Sequence, residues 1–301
     1  MLYDDMHSLI GNTPIVKLNN VEKGSNNIFA KLELYNPLGS VKDRIGEYMI
    51  EQARLDGRLK DGATIIAPTA GNTGIGIAFG ALNKGYRLIF VVPTKFSEEK
   101  QQLMKALGAT IINTPREEGM LGADKKANEL LETIPDSISF DQFKDQNNPE
   151  AHYRSTGPEI YKDLRGDIDY IVLGAGSGGT FTGTVKYLKE QNPNIKAVLA
   201  DPEGSIMGGG EHHDYDIEGI GNDFVPETLD MSLVDDVIKV SDTDALESVK
   251  ELASSEGIIA GSSSGAAFYA AKQLAKKVSG KNIVAILPDR GDRYFSKGLW
   301  K

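Results

Sequence analysis

The sequence has no cysteine, which excludes a disulfide framework, a thiolate zinc site and a catalytic thiol. It has no apolar run long enough to cross a bilayer. Its start, MLYDDMHSLIGNTP, has neither the basic nor the apolar region of a secretory signal, so a soluble cytoplasmic protein is expected. It also lacks any Lys/Arg-rich cluster. With 33 Lys+Arg against 43 Asp+Glu the net charge is -10, and nucleic-acid affinity comes from basic patches that release counterions. Nucleic acid is therefore not an expected partner. No G-x-S-x-G elbow and no Walker A lysine motif occurs, which leaves a serine hydrolase or a P-loop NTPase without an anchor. What is present is 301 residues, 40% of them hydrophobic, enough for one large or two moderate cores. Any nucleophile, acid or base must come from Lys, Ser, Thr, Tyr, Asp, Glu or one of four His.

Short β-rich runs alternate with helical periodicity. The runs are 27–34, 64–67, 87–92, 110–113, 170–174, 197–201, 237–240 and 282–287, and the helical stretches are 44–55, 98–107, 123–131, 182–191, 245–255 and 266–278. This alternation predicts an α/β protein with mostly parallel sheets covered on both faces. The polar, turn-rich stretch Lys144–Pro149 falls near the middle and reads as a junction between two domains.

Five segments carry candidate chemistry. Tyr170–Thr180 is a strand, a glycine-rich turn and a helix start, which offers backbone N–H groups to a phosphate. Gly174–Gly179 also fits the dinucleotide pattern G-x-G-x-x-G, with Glu190 or Asp201 as the acidic ribose partner, and a purely structural tight turn remains open. Ile65–Gly74 is a second strand-turn-helix, suited either to an anion such as a substrate carboxylate or to an Asn/Thr-capped helix. In Asn36–Arg44, Ser40 and Asp43 resemble a capping box, placing Lys42 in the first turn of a helix. The dipole there favours a neutral amine, the form that makes a Schiff base, although from this segment alone a surface lysine swinging to water is the plainer reading. Gly261–Ala267 sets three hydroxyls where one would cap a helix, suited either to plain N-capping or to a spare hydroxyl meeting a ligand ring atom. Leu287–Tyr294 ends a strand in a charged turn, either a ligand contact or a solvated loop. His212 and His213 stand among acidic residues, but adjacent histidines share a metal poorly, so no metal is expected.

Taken together, Asn36–Arg44, Pro68–Gly74, Gly174–Thr180, Glu218–Gly221 and Gly261–Gly265 resemble the cysteine synthase and cystathionine β-synthase family, the fold-type II pyridoxal-phosphate enzymes. The likeness runs in order from Ile10–Pro14 to Pro288–Tyr294. It implies two three-layer α/β/α domains of tryptophan synthase β type with the cofactor in the cleft between them: residues 1–11 and 36–148 forming a smaller domain, 12–35 and 149–301 a larger one. It makes Lys42 the cofactor's aldimine lysine and general base, Asn72 the partner of the phenolic oxygen, Gly176, Ser177, Gly178, Gly179 and Thr180 the phosphate cradle, and Ser263 the hydroxyl at the pyridine nitrogen. Thr69, Ala70, Gly71, Asn72 and Thr73 would hold the substrate carboxylate, with Gln142 closing over it. A serine at the ring nitrogen does not enforce a pyridinium, which suits loss of a β-leaving group over a long-lived carbanion.

The implied activity is β-replacement on O-acetyl-L-serine, or L-serine, through an aminoacrylate. Homocysteine would give cystathionine, with sulfide as the alternative nucleophile. Ala70, Lys95–Glu99 and Glu218–Pro226 look most like the bacterial O-acetylserine-dependent cystathionine β-synthases. The resemblance further implies small amino acid and thiol substrates, a homodimer, and docking of the C-terminal tail of serine acetyltransferase. The acidic loop Glu211–Asp216 is expected to gate the nucleophile. Threonine dehydratase chemistry on the same fold, or NAD binding at the glycine loop, would be the competing activities.

Overall fold

The computed structural model describes residues 2–94, 97–297 and 299. Lys95 and Phe96 of the Lys95–Glu99 motif lie outside them. The chain forms two compact units: Met1–Ile10 with Lys42–Asn148, and Gly11–Val41 with Pro149–Lys301. Residues 36–41 belong to the larger unit, where Val41 N–H donates to the Pro288 carbonyl at 2.8 Å and Ser40 bridges to Asp289. The stretch expected to be a turn-rich junction turns helical from Asn147.

The larger unit is built on a six-stranded sheet in the order β1 (Ile15–Leu18), β2 (Asn27–Leu32), β10 (Asn282–Leu287), β7 (Tyr170–Gly174), β8 (Lys196–Pro202) and β9 (Asp236–Val240). All neighbours run parallel except the β1–β2 hairpin at one edge. Strand alternation sends successive side chains to opposite faces. Val172, Val198, Ile283 and Ala285 pack on one face with Phe268, Ala271 and Leu274 of α9 (Ser262–Ala275). Ile171, Leu173, Leu199, Val284 and Ile286 pack on the other with Phe181, Val185 and Leu188 of α7 (Gly179–Gln191) and Ile160 of α6 (Thr156–Asp163). Helices α5 (Asn147–Arg154) and α8 (Asp242–Glu256) complete the layers.

The smaller unit carries an all-parallel four-stranded sheet in the order β5 (Thr110–Thr114), β4 (Arg87–Pro93), β3 (Thr64–Pro68) and β6 (Ser137–Ile138). Ala123 and Ala127 of α4 (Gly119–Thr133) cover Ile66 and Val91, and α3 (Glu98–Ala106) lies between β4 and β5 in sequence. Helix α2 (Asn72–Gly80) is buried from Thr73 to Gly80, apolar all round as a fully enclosed helix must be. It lies against α1 (Lys42–Leu55) backbone to backbone. A Cβ on Gly76 would lie 2.2 Å from the Lys42 carbonyl oxygen, and one on Gly46 would lie 2.1 Å from the Gly76 carbonyl. No described helix is long and apolar enough to cross a membrane.

Gly76→Ala is therefore expected to destabilise the protein by about 1–3 kcal/mol through overpacking. The fall would be read from the urea midpoint at unchanged slope. An unchanged midpoint would show that the two backbones do not meet.

Candidate active site

In the smaller unit, Lys42 is the first residue of α1. Its side chain is half-buried, and burial pushes its ammonium down from 10.5 to about 8. Desolvation is thus the operative cause, rather than the helix field invoked from the sequence. Lys31 in the larger unit, fully buried, is instead paired with Glu159 at 2.8 Å. Thr69, Ala70 and Gly71 form the turn between β3 and α2, and Asn72 and Thr73 open α2. Close contact with Lys42's own carbonyl at Gly76 sets this turn and the lysine in one register. Thr73 Oγ1 donates to Gln142 Oε1 at 2.6 Å, and Asn148 Nδ2 donates to the Gln142 carbonyl at 2.7 Å, so Gln142 is brought to the turn.

In the larger unit the phosphate-loop candidates follow β7 directly, and Ser263 is the second residue of α9. The start of α9 is tied to the end of β10: Gly261 N–H donates to the Asp289 carbonyl at 3.1 Å, and Ala260 bridges to Arg290. Because β7 and β10 are parallel neighbours, both groups stand at the C-terminal edge of the sheet, where α/β proteins place ligands.

The described helices start in different ways, and α4, which carries no candidate residue, has neither a side-chain cap nor an acid in its first turn. Helices α3 and α8, which carry no candidate residue, are capped by Ser97 and Ser241 and have acidic first turns. Helices α2, α7 and α9 start at Gly71, Gly178 and Gly261, with no side-chain cap and no acid in the first turn. The capped-helix alternatives for 65–74 and 261–267 therefore do not hold. These three N-termini are left without a side-chain cap, with N–H groups suited to an anion.

The Leu287–Tyr294 turn is not a solvated loop. Asp289, Arg293 and Tyr294 are buried, and the Tyr294 hydroxyl donates to Asp289 Oδ2 at 2.5 Å. Burial, with Asp289 beside it, drives the Tyr294 phenol well above its ordinary pKa. Arg290 points outward to Asp292. His212 Nδ1 hydrogen-bonds the Gly204 carbonyl, and His213 Nδ1 the Asp214 carbonyl, so each is engaged with backbone. Asp216 and Ile217 N–H groups donate to Asp242 Oδ1, anchoring the acidic loop to α8. One residue escaped the sequence reading. His152 on α5 is fully buried, its Nε2 3.1 Å from Thr180 Oγ1 and its Nδ1 2.8 Å from Thr156 Oγ1. Its only local signal was a helix hidden in the Asn-Asn-Pro stretch.

The family model for pyridoxal-phosphate dependent enzymes matches residues 6–289. The chain belongs to that family. It is 50% identical over 299 residues to the O-acetylserine dependent cystathionine beta-synthase of Bacillus subtilis, covering 99% of this chain and 97% of that protein. It is 46% identical over 304 residues to a cysteine synthase of Helicobacter pylori, covering 100% and 99%. The crystal structure of the O-acetylserine dependent cystathionine beta-synthase from Helicobacter pylori superposes with a TM-score of 0.93 at 46% identity, covering both chains fully.

The residues present fit pyridoxal phosphate. The family's aldehyde cofactor needs a neutral amine, which burial gives Lys42, and an anion site, which the uncapped start of α7 offers. At pH 7 a lysine with a pKa near 8 is about a tenth neutral, against about three in ten thousand for an unshifted one. The rate at which apoprotein takes up pyridoxal phosphate covalently is therefore expected to rise with pH and level off above about 8. A rise continuing towards 10.5 would show an unperturbed lysine.

Proposed function

We propose that this chain is a β-replacement enzyme that exchanges the acetate of O-acetyl-L-serine for the sulfur of homocysteine, giving cystathionine, with L-serine as an alternative donor. The observation that carries the reading is a lysine whose ammonium is destabilised by burial, held in register with an uncapped, glycine-started helix suited to a carboxylate. The Bacillus subtilis relative supports the choice of substrates. A second reading, cysteine synthase using sulfide, is favoured by the cysteine synthase of nearly equal identity.

Bound pyridoxal phosphate supplies an electron sink that stabilises negative charge at the substrate Cα. Lys42 holds the cofactor, Gly176, Ser177, Gly178, Gly179 and Thr180 hold its phosphate, Asn72 its phenolic oxygen and Ser263 its ring nitrogen. Thr69, Ala70, Gly71, Asn72 and Thr73 bind the substrate carboxylate, and Gln142, already bonded to Thr73, closes that turn. As a free neutral amine, Lys42 would take the Cα proton while the Cβ–O bond to acetate breaks. The thiolate then forms the Cβ–S bond, and Lys42 returns the proton to Cα. A homodimer and docking of a serine acetyltransferase tail rest on the family resemblance, and a cytoplasmic location on the composition of the first residues.

The holoprotein is expected to be yellow, to change its absorbance on O-acetylserine alone, and to recover the original spectrum faster on homocysteine than on sulfide. Faster recovery on sulfide would assign it as a cysteine synthase, and no change on O-acetylserine would remove the donor. Glu218, half-buried with its N–H held by Ser262 Oγ at 3.0 Å, offers a negative charge that attracts the ammonium of homocysteine and repels hydrosulfide. Glu218→Gln is expected to slow the homocysteine reaction several-fold more than the sulfide reaction. Equal falls would exclude this loop from choosing the nucleophile.

A further inference from the structure

We propose that Asn222 and Thr228 are positioning residues for the cofactor phosphate. Together with the Gly221 N–H they pin three consecutive carbonyls of the 175–178 turn, and so aim the N–H groups of Gly176, Ser177 and Gly178 at the anion. The proposal rests on the reading above that this turn holds phosphate.

In a planar trans peptide the C=O of one residue and the N–H of the next point in opposite directions. A hydrogen bond that fixes the carbonyl therefore fixes the direction of the following N–H. Gly221 N–H donates to the Ala175 carbonyl at 2.8 Å, Asn222 Nδ2 donates to the Gly176 carbonyl at 2.6 Å, and the Thr228 hydroxyl donates to the Ser177 carbonyl. All three donors lie on one segment, 221–228, behind the turn. The three peptides thus show their carbonyls to this segment and their N–H groups to the opposite side, the arrangement of an anion nest.

The turn cannot relax backwards. A Cβ on Gly176 would lie 2.2 Å from the Gly219 carbonyl oxygen, and one on Gly178, whose φ is +88°, would lie 2.5 Å from Leu229 Cβ. Glycine is thus required at both positions by the backing segment itself.

The segment is anchored in turn. Asn222 N–H donates to Ser205 Oγ at 3.2 Å, and Ile206 N–H donates to the Asn222 carbonyl at 3.0 Å. The Ser205 carbonyl accepts from Lys239 Nζ at 2.6 Å, and that ammonium pairs at 2.6 Å with Asp201, fully buried at the end of β8. Without the two side-chain donors, two of the three peptides are free to turn, and the phosphate must organise them itself. Preorganisation of this kind appears directly as affinity.

The test titrates apoprotein with pyridoxal phosphate and, separately, with pyridoxal, which lacks the phosphate. Thr228→Val keeps the shape without the hydroxyl, and Asn222→Asp sets an acceptor against the Gly176 carbonyl. Each is expected to lose about tenfold in affinity for pyridoxal phosphate while pyridoxal changes by less than about twofold. Thr228→Ser, which keeps the donor, is expected to bind both as the parent does. No loss for pyridoxal phosphate, or an equal loss for both ligands, would overturn the proposal. Thr180→Val separates the two levels. If it weakens pyridoxal phosphate binding and the other two substitutions do not, the cradle stands and the brace falls; if none of the three does, both fall. Should Asn222→Asp fail to fold, the Val and Ser variants at 228 decide the matter alone.

Discussion

A reactive lysine and the turn that receives its substrate hold a fixed register only if the elements bearing them touch without side chains between them. Here that constraint is the contact of α1 with α2, where Gly46 and Gly76 bring backbone against backbone and the Lys42 carbonyl itself is one of the touching atoms. A side chain at any of these points would lever Lys42 away from Thr69–Thr73. The cost is two helix-interior glycines, each about 1 kcal/mol poorer than alanine in helix propensity. Burial of α2 on all sides offsets it.

The same economy governs the helix starts. Helices α3 and α8 close their first turns with serine and carboxylates. The three helices of the proposed site begin at glycine and leave their N–H groups unclosed by side chains. Such ends are less stable alone, and become favourable once phosphate or carboxylate occupies them. Ligand binding and helix stability are in this way one free energy.

The central strands were legible because they are continuous β-branched and apolar runs between turn residues, as in Tyr170–Gly174 and Asn282–Leu287. Edge strands β5 and β9 were legible too, but the other two edges were not: β1 is four residues with Lys17 exposed, and β6 is two residues long. Helices α5 and α6 hide behind Pro149 and Pro158, which read as breakers but sit in first turns, where proline is tolerated. The true starts of α7 and α9 lay upstream of the expected ones, because glycine and serine suppress the helical signal at the positions where function needs them. The candidate site was readable as local motifs. What it stands on was not, since His152 with Thr180, or Asn222 with Gly176, join residues 28 and 46 positions apart.

The most direct test of the account is reduction of the holoprotein with borohydride, followed by proteolysis and mass mapping of the modified peptide. The account predicts a single phosphopyridoxyl group on Lys42. Its appearance on Lys31, on Lys100 or on any other lysine would contradict it.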